Sequence, residues 1–440
     1  MSLSRRAFLT SGLAAAAGLA ARPSLAQARG LLTEPKLDAV ITRALEAAKK
    51  AGASYADVRL VRRRGERLAA REARIEEVSA TEEYGLGVRV LVAGAWGFAA
   101  TPRVTLPEAA RVAQRAAEVA RAHAAARSQP VALAPTAAHV DVWQTPLTKD
   151  PFKIPLEDKA ELLLAITGAA LKVPQVKFCE AWYEGLAEWK LFASSEGAYL
   201  EQEIVRVDPG YAVTALDERA GEVATRKHGI APRQAGWEYV IGSSMLADAR
   251  QTGEEAVEKL RAPSVTPGPR DLVIDPSNLW LTIHESIGHS TELDRALGYE
   301  ANFAGTSFAT PDQLGKLRIG APHVTFYADK TTPGGLATCG YDDDGVACGR
   351  WNLVERGLLV GYQTTREQAG WIGEAASRGT AYADSYASVP FQRMPNVSLL
   401  PGPRALTLDD LVAATDAGVL VVGDGSWSID HQRRNFQFGG

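Results

Sequence analysis

The chain has 440 residues, of which 46% are hydrophobic and 23% are charged, and its formal net charge is −4. This length and composition predict two or three globular domains with ample core. The sequence contains no block of basic residues, which excludes a phosphate-tracking surface and leaves nucleic-acid binding without support.

Residues 1–28 have the features of a signal peptide. Arg5 and Arg6 precede Phe8 and Leu9 in a twin-arginine signature, and a short Ala/Leu/Gly run follows that ends in small residues suited to cleavage. The run is too short to span a bilayer, so we predict export without a stable membrane anchor. The arginine pair favours the twin-arginine route, which exports folded protein to the periplasm, over an ordinary general-secretory signal.

The segment 29–262 is predicted to be an N-terminal α/β domain with helices on mixed sheets. A helical segment is followed by YADVRLVRRR, RLAAREARIEEVSA and GLGVRVLVAGAWGFAAT, which show the period-two alternation of strands, and then by an Ala-rich helix. A similar order recurs from PLEDKAELLLAITGAALKV onward. The order suggests a structural duplication, although the sequence identity between the two halves is slight.

The Pro-rich stretch 263–269 is predicted to be a linker between two domains. Over residues 270–440, a short strand and a motif-bearing helix are followed by many short strand candidates with glycine and proline turns. This pattern of short strands and turns predicts a mainly antiparallel, barrel-like C-terminal domain that carries the motif helix. The chain as a whole is therefore placed in the α+β class.

The stretch LTIHESIGHSTELD contains the chemistry-bearing residues His284, Glu285 and His289. Zinc peptidases of the H-E-x-x-H type hold their histidines four residues apart, whereas this pair is five apart. In a regular α-helix that spacing leaves the side chains about 140° apart, which is a poor chelate. A π-type turn, or a helix end near Gly288, would bring the histidines together. The alternative is a pair of histidines on different helix faces.

Two features flank this motif. Asp275 and Pro276 predict the start of the motif helix, because aspartate caps a helix well and proline suits its first position. Glu292 lies one turn beyond His289, where it is a candidate third ligand or a supporting partner of that histidine. A further donor is needed, since catalytic zinc typically has three protein ligands and water.

The remaining candidates are cysteines and an acidic run. Cys339 and Cys348 lie close in sequence and could form a disulfide, remain free, be buried or bind metal, while Cys179 is isolated. The run YDDDGV lacks the spaced ligands of a calcium loop and is interpreted as a solvated acidic turn.

Several segments together resemble the TldD/PmbA family, also called modulator of DNA gyrase, a group of metallopeptidases. They are GVRVLVAGAWGFAAT, HESIGHSTELDRALGYEANFAGTSF, TTPGGLATCGYDDDGV and GSWSIDHQRRNFQFGG. The resemblance is to the TldD-like, metal-bearing branch. It implies a two-domain α+β protein whose dimer, with itself or with a paralogue, encloses a chamber that cleaves peptides or unfolded segments. By this similarity His284 and His289 match the zinc histidines and Glu285 matches the catalytic glutamate.

One departure from the family concerns the third metal ligand. The family takes it from a cysteine in a segment that follows the NFQFGG strand, and this sequence stops at Gly440. Neither Cys339 nor Cys348 occupies the matching place. Three explanations are open: a truncated C-terminal domain, a metal that takes another ligand, and a chain that binds metal poorly. We expect the truncation, with the missing donor past Gly440 and Glu292 as the local substitute.

The leading hypothesis is an exported zinc metallopeptidase acting on peptides or unfolded polypeptide segments. In this hypothesis Glu285 takes the proton of a zinc-activated water and passes it to the leaving amine. The alternative is a catalytically weak or inactive subunit, or a peptide-binding partner, in a TldD-like complex. A structural metal-binding protein is a third hypothesis, disfavoured because closed structural sites usually recruit four protein ligands.

Overall fold

The structure, a computed structural model, describes residues 35–126 and 129–440. The signal peptide predicted over residues 1–28 lies outside the described residues. Within them, no helix combines the length and the apolar character needed to cross a membrane.

A seven-stranded sheet organises the N-terminal half, in the order β3-β2-β1-β5-β6-β4, with β7 paired to β6. Its strands are β1 (Tyr55–Arg71), β2 (Arg74–Val92), β3 (Ala95–Thr101), β4 (Val140–Gln144), β5 (Val176–Ser194), β6 (Tyr199–Asp217) and β7 (Glu222–Lys227). Neighbouring strands are antiparallel except β4 and β6, which are parallel, so the sheet is mixed. This agrees with the mixed sheet expected for this half of the chain.

The long strands differ from the shorter segments expected from the sequence. Strand β1 continues through Gly65 and covers parts of two segments that were predicted separately. Gly65 does not break the strand because it lies opposite Thr81 of β2, and a Cβ at this position would lie 2.6 Å from the Thr81 hydroxyl. Pairing with β2 on one side and β5 on the other keeps the strand extended past the glycine.

Helices cover the sheet in two groups. They are α1 (Pro35–Lys50), α2 (Leu106–Ala124), α3 (Leu156–Ala170), α4 (Trp237–Ile241) and α5 (Met245–Lys259). Helices α1 and α2 share one buried apolar cluster with the β1–β2 hairpin, and α3 and α5 share another with the β5–β6 hairpin. The order helix, three strands, helix occurs twice, which agrees with the duplication suggested by the sequence.

The C-terminal half consists of shorter elements. Its strands are β8 (Asp271–Ile274), β9 (Phe326–Asp329), β10 (Arg350–Glu355), β11 (Leu358–Leu359), β12 (Ala381–Tyr382), β13 (Phe391–Gln392), β14 (Val397–Leu399), β15 (Gly418–Val421), β16 (Trp427–Ile429) and β17 (Phe436–Phe438). Its helices are α6 (Pro276–Ile283), α7 (Leu293–Ala296) and α8 (Leu408–Ala413).

These strands form a four-stranded sheet, β11-β10-β9-β14, and three two-stranded sheets, of which only β15–β8 is parallel in the described part of the chain. The mainly antiparallel character agrees with the expectation, but the sheets are not closed into a barrel. The barrel-like prediction was wrong because strands of two to six residues, separated by irregular connections, do not make one continuous hydrogen-bonded ring.

The acidic run Asp342–Asp344 joins the two halves. All three aspartates are buried. Asp343 accepts a hydrogen bond from Lys190 of β5 at 2.9 Å, and Asp344 accepts one from Arg89 of β2 at 2.6 Å. The expected solvated turn was wrong, because the cations that neutralise these carboxylates come from strands far away in sequence.

Candidate metal centre

The motif helix α6 begins as the sequence predicted. Asp275 has extended backbone angles, and its carboxylate accepts a hydrogen bond from the backbone N–H of Ser277 at 2.8 Å. Pro276 occupies the first helical position. The cap fixes where the helix starts and hence which turn carries the histidines.

The helix widens where the motif requires it. His284–Gly288 form a π-helical turn, in which the backbone N–H of His289 donates to the carbonyl of His284. The two imidazole centroids are 4.6 Å apart, with the rings inclined at 82°. The expectation of a π-type turn is therefore confirmed, and the alternative with histidines on different faces is wrong. A turn closed between residues five apart brings this spacing into register.

Gly288 is needed for close packing rather than for backbone freedom. Its φ of −54° is ordinary for any residue. A Cβ at this position would lie 2.4 Å from the sulfur of Met394, so a larger residue would displace that side chain.

The Gly288 carbonyl accepts a hydrogen bond from Gln363 Nε2 at 2.5 Å, and Thr291 Oγ1 donates to the Ile287 carbonyl at 2.8 Å. Side chains thus satisfy carbonyls that the irregular turn leaves without regular helical partners.

The π turn assembles a donor group that could hold a metal ion. One ligand atom from each of His284, Glu285 and His289 lies within 4.8 Å of the others. On a tetrahedral zinc with ligand bonds of 2.0–2.1 Å, two nitrogens would be about 3.4 Å apart, so small side-chain rotations suffice. Burial, followed by the neighbouring His289, lowers the pKa of His284 to about 4. The imidazole is therefore neutral near pH 7, which is the form that binds metal.

Glu292 contacts the back of this group. Its Oε2 lies 2.8 Å from His289 Nδ1, and Arg295 Nε donates to the same oxygen at 2.8 Å. Burial opposes ionisation of Glu292, but the hydrogen bonds and charges of His289 and Arg295 outweigh it, so its pKa is lowered. Arg295 Nη2 also lies 3.3 Å from His289 Nδ1. In the neutral imidazole, a hydrogen on Nδ1 directed to the closer Glu292 carboxylate leaves the lone pair of Nε2 for a metal. Of the two roles considered for Glu292, this geometry favours the supporting partner.

Arg433 contacts the motif glutamate from a distant segment. Its Nη1 donates to Glu285 Oε2 at 2.7 Å, and both side chains are largely buried. Arg433 lies in a turn between β16 and β17, and Asp430 closes that turn by accepting backbone N–H groups, among them that of Arg434. The hydrogen bond engages Oε2 and leaves Oε1 of Glu285 for chemistry.

Sequence reasoning missed three residues that support the site, namely Arg295, Gln363 and Arg433. Arg295 lies three residues after Glu292 in a helical context, so its ion pair was open to prediction from spacing. Gln363 and Arg433 reach the motif from other segments, and no local pattern marks them.

The two neighbouring cysteines lie close to each other, and one of them lines a cavity. Cys339 Sγ is 3.4 Å from Cys348 Sγ, and Cys339 helps to line a cavity of about 360 Å³ together with Lys190 and Lys330. In the described part of the chain, no cysteine belongs to the donor group around His284, which agrees with the expectation that Cys339 and Cys348 do not complete the site. The expectation of a donor past Gly440 stays a prediction.

Comparison with known proteins gives a consistent assignment. Three domain models of the PmbA/TldA metallopeptidase family match the chain: domain 1 over residues 56–120, the central domain over 149–262 and the C-terminal domain over 267–440. A metalloprotease of Methanocaldococcus jannaschii is 26% identical over 385 residues, covering 87% of this chain and 81% of the relative. A zinc metalloprotease TldD homologue of Saccharolobus solfataricus is 24% identical over 378 residues, covering 82% and 76%.

Solved structures share the fold. TldE from Thermococcus kodakarensis superposes with a TM-score of 0.68 at 18% identity, covering 91% of this chain and 86% of that one. A Thermotoga maritima protein described as a candidate modulator of a DNA gyrase superposes with a TM-score of 0.69 at 15% identity, covering 88% and 82%.

An α+β chain that presents a partly buried His-Glu-His donor group, and whose relatives are named metalloproteases, is in the metallopeptidase class. Matched by its models in all three domains, the chain belongs to the TldD/PmbA metallopeptidase family.

Proposed function

We propose that this chain is an exported zinc metallopeptidase that hydrolyses peptides or unfolded polypeptide segments. The observation that carries the proposal is the π turn, which converts an unfavourable histidine spacing into one compact donor group with a glutamate between the ligands. The name of the Saccharolobus relative supports zinc as the metal.

In this proposal each residue of the site has a separate task. His284 and His289 hold the metal, and Glu292, fixed by Arg295, keeps the lone pair of His289 Nε2 available. When bound, zinc supplies a Lewis acid toward water and toward a carbonyl oxygen. Glu285 accepts the proton of the attacking water and returns it to the leaving amine. Arg433 holds Glu285 in place through Oε2, so that proton transfer uses Oε1.

Glu285→Gln tests the catalytic assignment. The amide keeps the shape of the side chain and can still contact Arg433, but it cannot accept the proton. We expect zinc affinity to change little and peptide cleavage to fall by about 10²–10⁴-fold. The matched control is Glu374→Gln, which removes the same charge from an ion pair with Arg378. Turnover that survives in Glu285→Gln would show that the glutamate has another role.

A catalytically weak or inactive subunit is the second candidate. If Glu285 acts as the base, the donor group in the described residues provides two ligands, whereas a catalytic zinc typically has three. In this case the isolated chain binds zinc weakly and cleaves no peptide, and adding a TldD-like paralogue produces an active complex. Peptide cleavage by the isolated, zinc-loaded chain would exclude this candidate.

We further propose that the chain acts as a homodimer or as a heterodimer with a paralogue. The support is family membership, because the resemblance to the TldD/PmbA family implies a dimer that encloses a chamber. Sedimentation analysis of the purified chain, alone and mixed with such a paralogue, distinguishes the two states, and a monomer under both conditions contradicts the proposal.

Export by the twin-arginine route is supported by the signature at Arg5 and Arg6. Replacing both by lysine keeps the charge and the apolar segment but removes the residues that the receptor reads. We expect the variant precursor to remain in the cytoplasm, as measured by cell fractionation. Unchanged export would point to the general secretory path.

A further inference from the structure

A cavity of about 380 Å³ lies beside the metal motif, and it has both acidic and aromatic walls. This cavity is called the aromatic pocket. The lining residues that matter are Asp294, Tyr299, Glu367, Trp371, Phe391 and Gln392.

The aromatic wall is open to solvent. Tyr299 and Trp371 stack with their ring centroids 5.4 Å apart and an interplanar angle of 14°. Both rings are exposed, at 71% for Tyr299 and 43% for Trp371, and Phe391 is 46% exposed. Ring faces of this kind attract cations and the apolar stems that carry them.

The acidic wall lacks a matching cation. Asp294 is buried, and its Oδ1 accepts only the backbone N–H of Arg295 among the described residues, while the Arg295 guanidinium bonds Glu292 and the Ala304 carbonyl. Glu367 accepts a hydrogen bond from Trp96 Nε1 at 2.8 Å. Arg89 is the basic residue of the lining within the described chain, and it is already paired with Asp57 and Asp344. Burial without a paired cation disfavours the charged form of a carboxyl group, so a cationic ligand would stabilise the ionised form of this wall.

A second polar group in the pocket also lacks a partner. Gln392 is 2% exposed, and its Oε1 has no hydrogen-bond partner in the described part of the chain. An ammonium or guanidinium group supplies the N–H donors that this amide oxygen requires.

The pocket is linked directly to the π turn. Gln392 Nε2 donates to Gln363 Oε1 at 3.0 Å, and Gln363 Nε2 donates in turn to the Gly288 carbonyl. Glu292 and Asp294 lie two residues apart in the same segment. Glu292 supports His289, and Asp294 lines the pocket. The pocket and the π turn are therefore connected through these two glutamines and through the segment that carries Glu292 and Asp294.

We propose that the aromatic pocket binds a lysine or arginine side chain of the peptide substrate and so sets a preference for basic residues near the cleavage site. This assignment rests on the proposed peptidase function. The stem of the basic side chain packs between Tyr299, Trp371 and Phe391, and its charged group reaches Asp294 and Gln392.

The test compares two peptides that differ only at one position, lysine in one and norleucine in the other. Binding is measured by fluorescence anisotropy on zinc-loaded Glu285→Gln, which separates recognition from cleavage. We expect the lysine peptide to bind about tenfold more tightly, with a ratio that falls as salt is raised. A ratio near one would overturn the proposal.

Two variants and a control locate the preference. Two variants are each made in Glu285→Gln. Asp294→Asn should bring the ratio toward one while leaving the norleucine peptide nearly unaffected. Tyr299→Ala should weaken binding of both peptides, because both stems lose packing, and should lower the ratio because the lysine peptide also loses a cation–π contact. Tyr299 is largely exposed, so this variant tests the pocket even if Asp294→Asn disturbs folding. Phe303→Ala is the matched control, because Phe303 is an 89% exposed aromatic residue that does not line the pocket. The control should keep the full ratio.

The outcomes separate the pocket from the peptidase function. If zinc-loaded, unaltered protein cleaves neither peptide but the binding ratio depends on Asp294 and Tyr299, the pocket assignment holds and the proposed function fails. If cleavage occurs with no lysine preference, the pocket assignment fails alone. It also fails if Tyr299→Ala changes the oligomeric state and leaves the ratio intact, because the aromatic face is then an interface between chains.

Discussion

Replacing Glu292 by glutamine distinguishes a supporting partner from a metal ligand. The carboxylate Oε2 accepts from both His289 Nδ1 and Arg295 Nε at 2.8 Å, and the residue is 2% exposed. Glutamine preserves the size of the side chain and one accepting oxygen but removes the charge. A hydrogen bond to a charged group contributes about 1.5–3 kcal/mol and a neutral one about 0.5–1.5 kcal/mol. The weakened restraint on His289 should therefore cost about 1–1.5 kcal/mol.

This free energy corresponds to roughly a tenfold loss of zinc affinity, at the lower end of the 10–100-fold range typical of residues that orient a metal ligand. The assay is a competition titration against a chromophoric zinc chelator at pH 7.5. The ¹⁵N chemical shifts of labelled His289 provide the second readout, because loss of the carboxylate should reduce the population with hydrogen on Nδ1. Glu374→Gln, which leaves the motif contacts in place, should keep the affinity of the unaltered chain.

Two results would refute this reasoning. A loss greater than about 1,000-fold, well beyond what a supporting partner explains, would indicate that Glu292 bonds the metal directly. An unchanged affinity together with an altered tautomer of His289 would show that orientation of this ring does not control metal binding.

Three further predictions follow from the same contacts. Arg89→Met leaves Asp57 and Asp344 without their buried cation and should lower the free energy of unfolding by about 3–5 kcal/mol. Arg111→Met, in a solvent-screened pair with Glu108, should change it far less in the same urea titrations. Equal effects would contradict the prediction. Gly288→Ala forces Met394 aside, so it should lower the free energy of unfolding by about 1–3 kcal/mol and weaken zinc binding. Adding Met394→Ala should restore stability or zinc binding, and failure to restore either one would refute the packing explanation. The metal-free chain should lose stability as pH falls from about 6.5 toward 4. The reason is that the pKa of His284 is lowered to about 4 in the folded state, so the unfolded chain takes up the proton first. His284→Gln should flatten this part of the plot of stability against pH, and an unchanged slope would exclude His284 as its cause.

The sequence by itself determined the parts of the site that depend on local geometry. The Asp275 cap, the need for a π-type turn or a helix end between His284 and His289, and the closeness of Glu292 to His289 all concern residues a few positions apart. Over such distances the helical repeat limits which side chains can meet, although spacing alone left open whether the two histidines share a face. Period-two alternation likewise identified parts of β1, β2, β3, β5 and β6, but it did not identify β4 or β7, nor the full length of β1 and β2.

Only the tertiary structure decided what surrounds these residues. Arg433 reaches Glu285 across 148 positions, and Arg89 reaches Asp344 across 255, so no periodic pattern relates the partners. The acidic run Asp342–Asp344 was expected in solvent because its cations come from β2 and β5, which are distant in sequence. The open C-terminal sheets were missed for a similar reason. A short strand fixes which residues alternate between faces, but the choice of its neighbour, and hence closure into a barrel, depends on the packing of the whole domain.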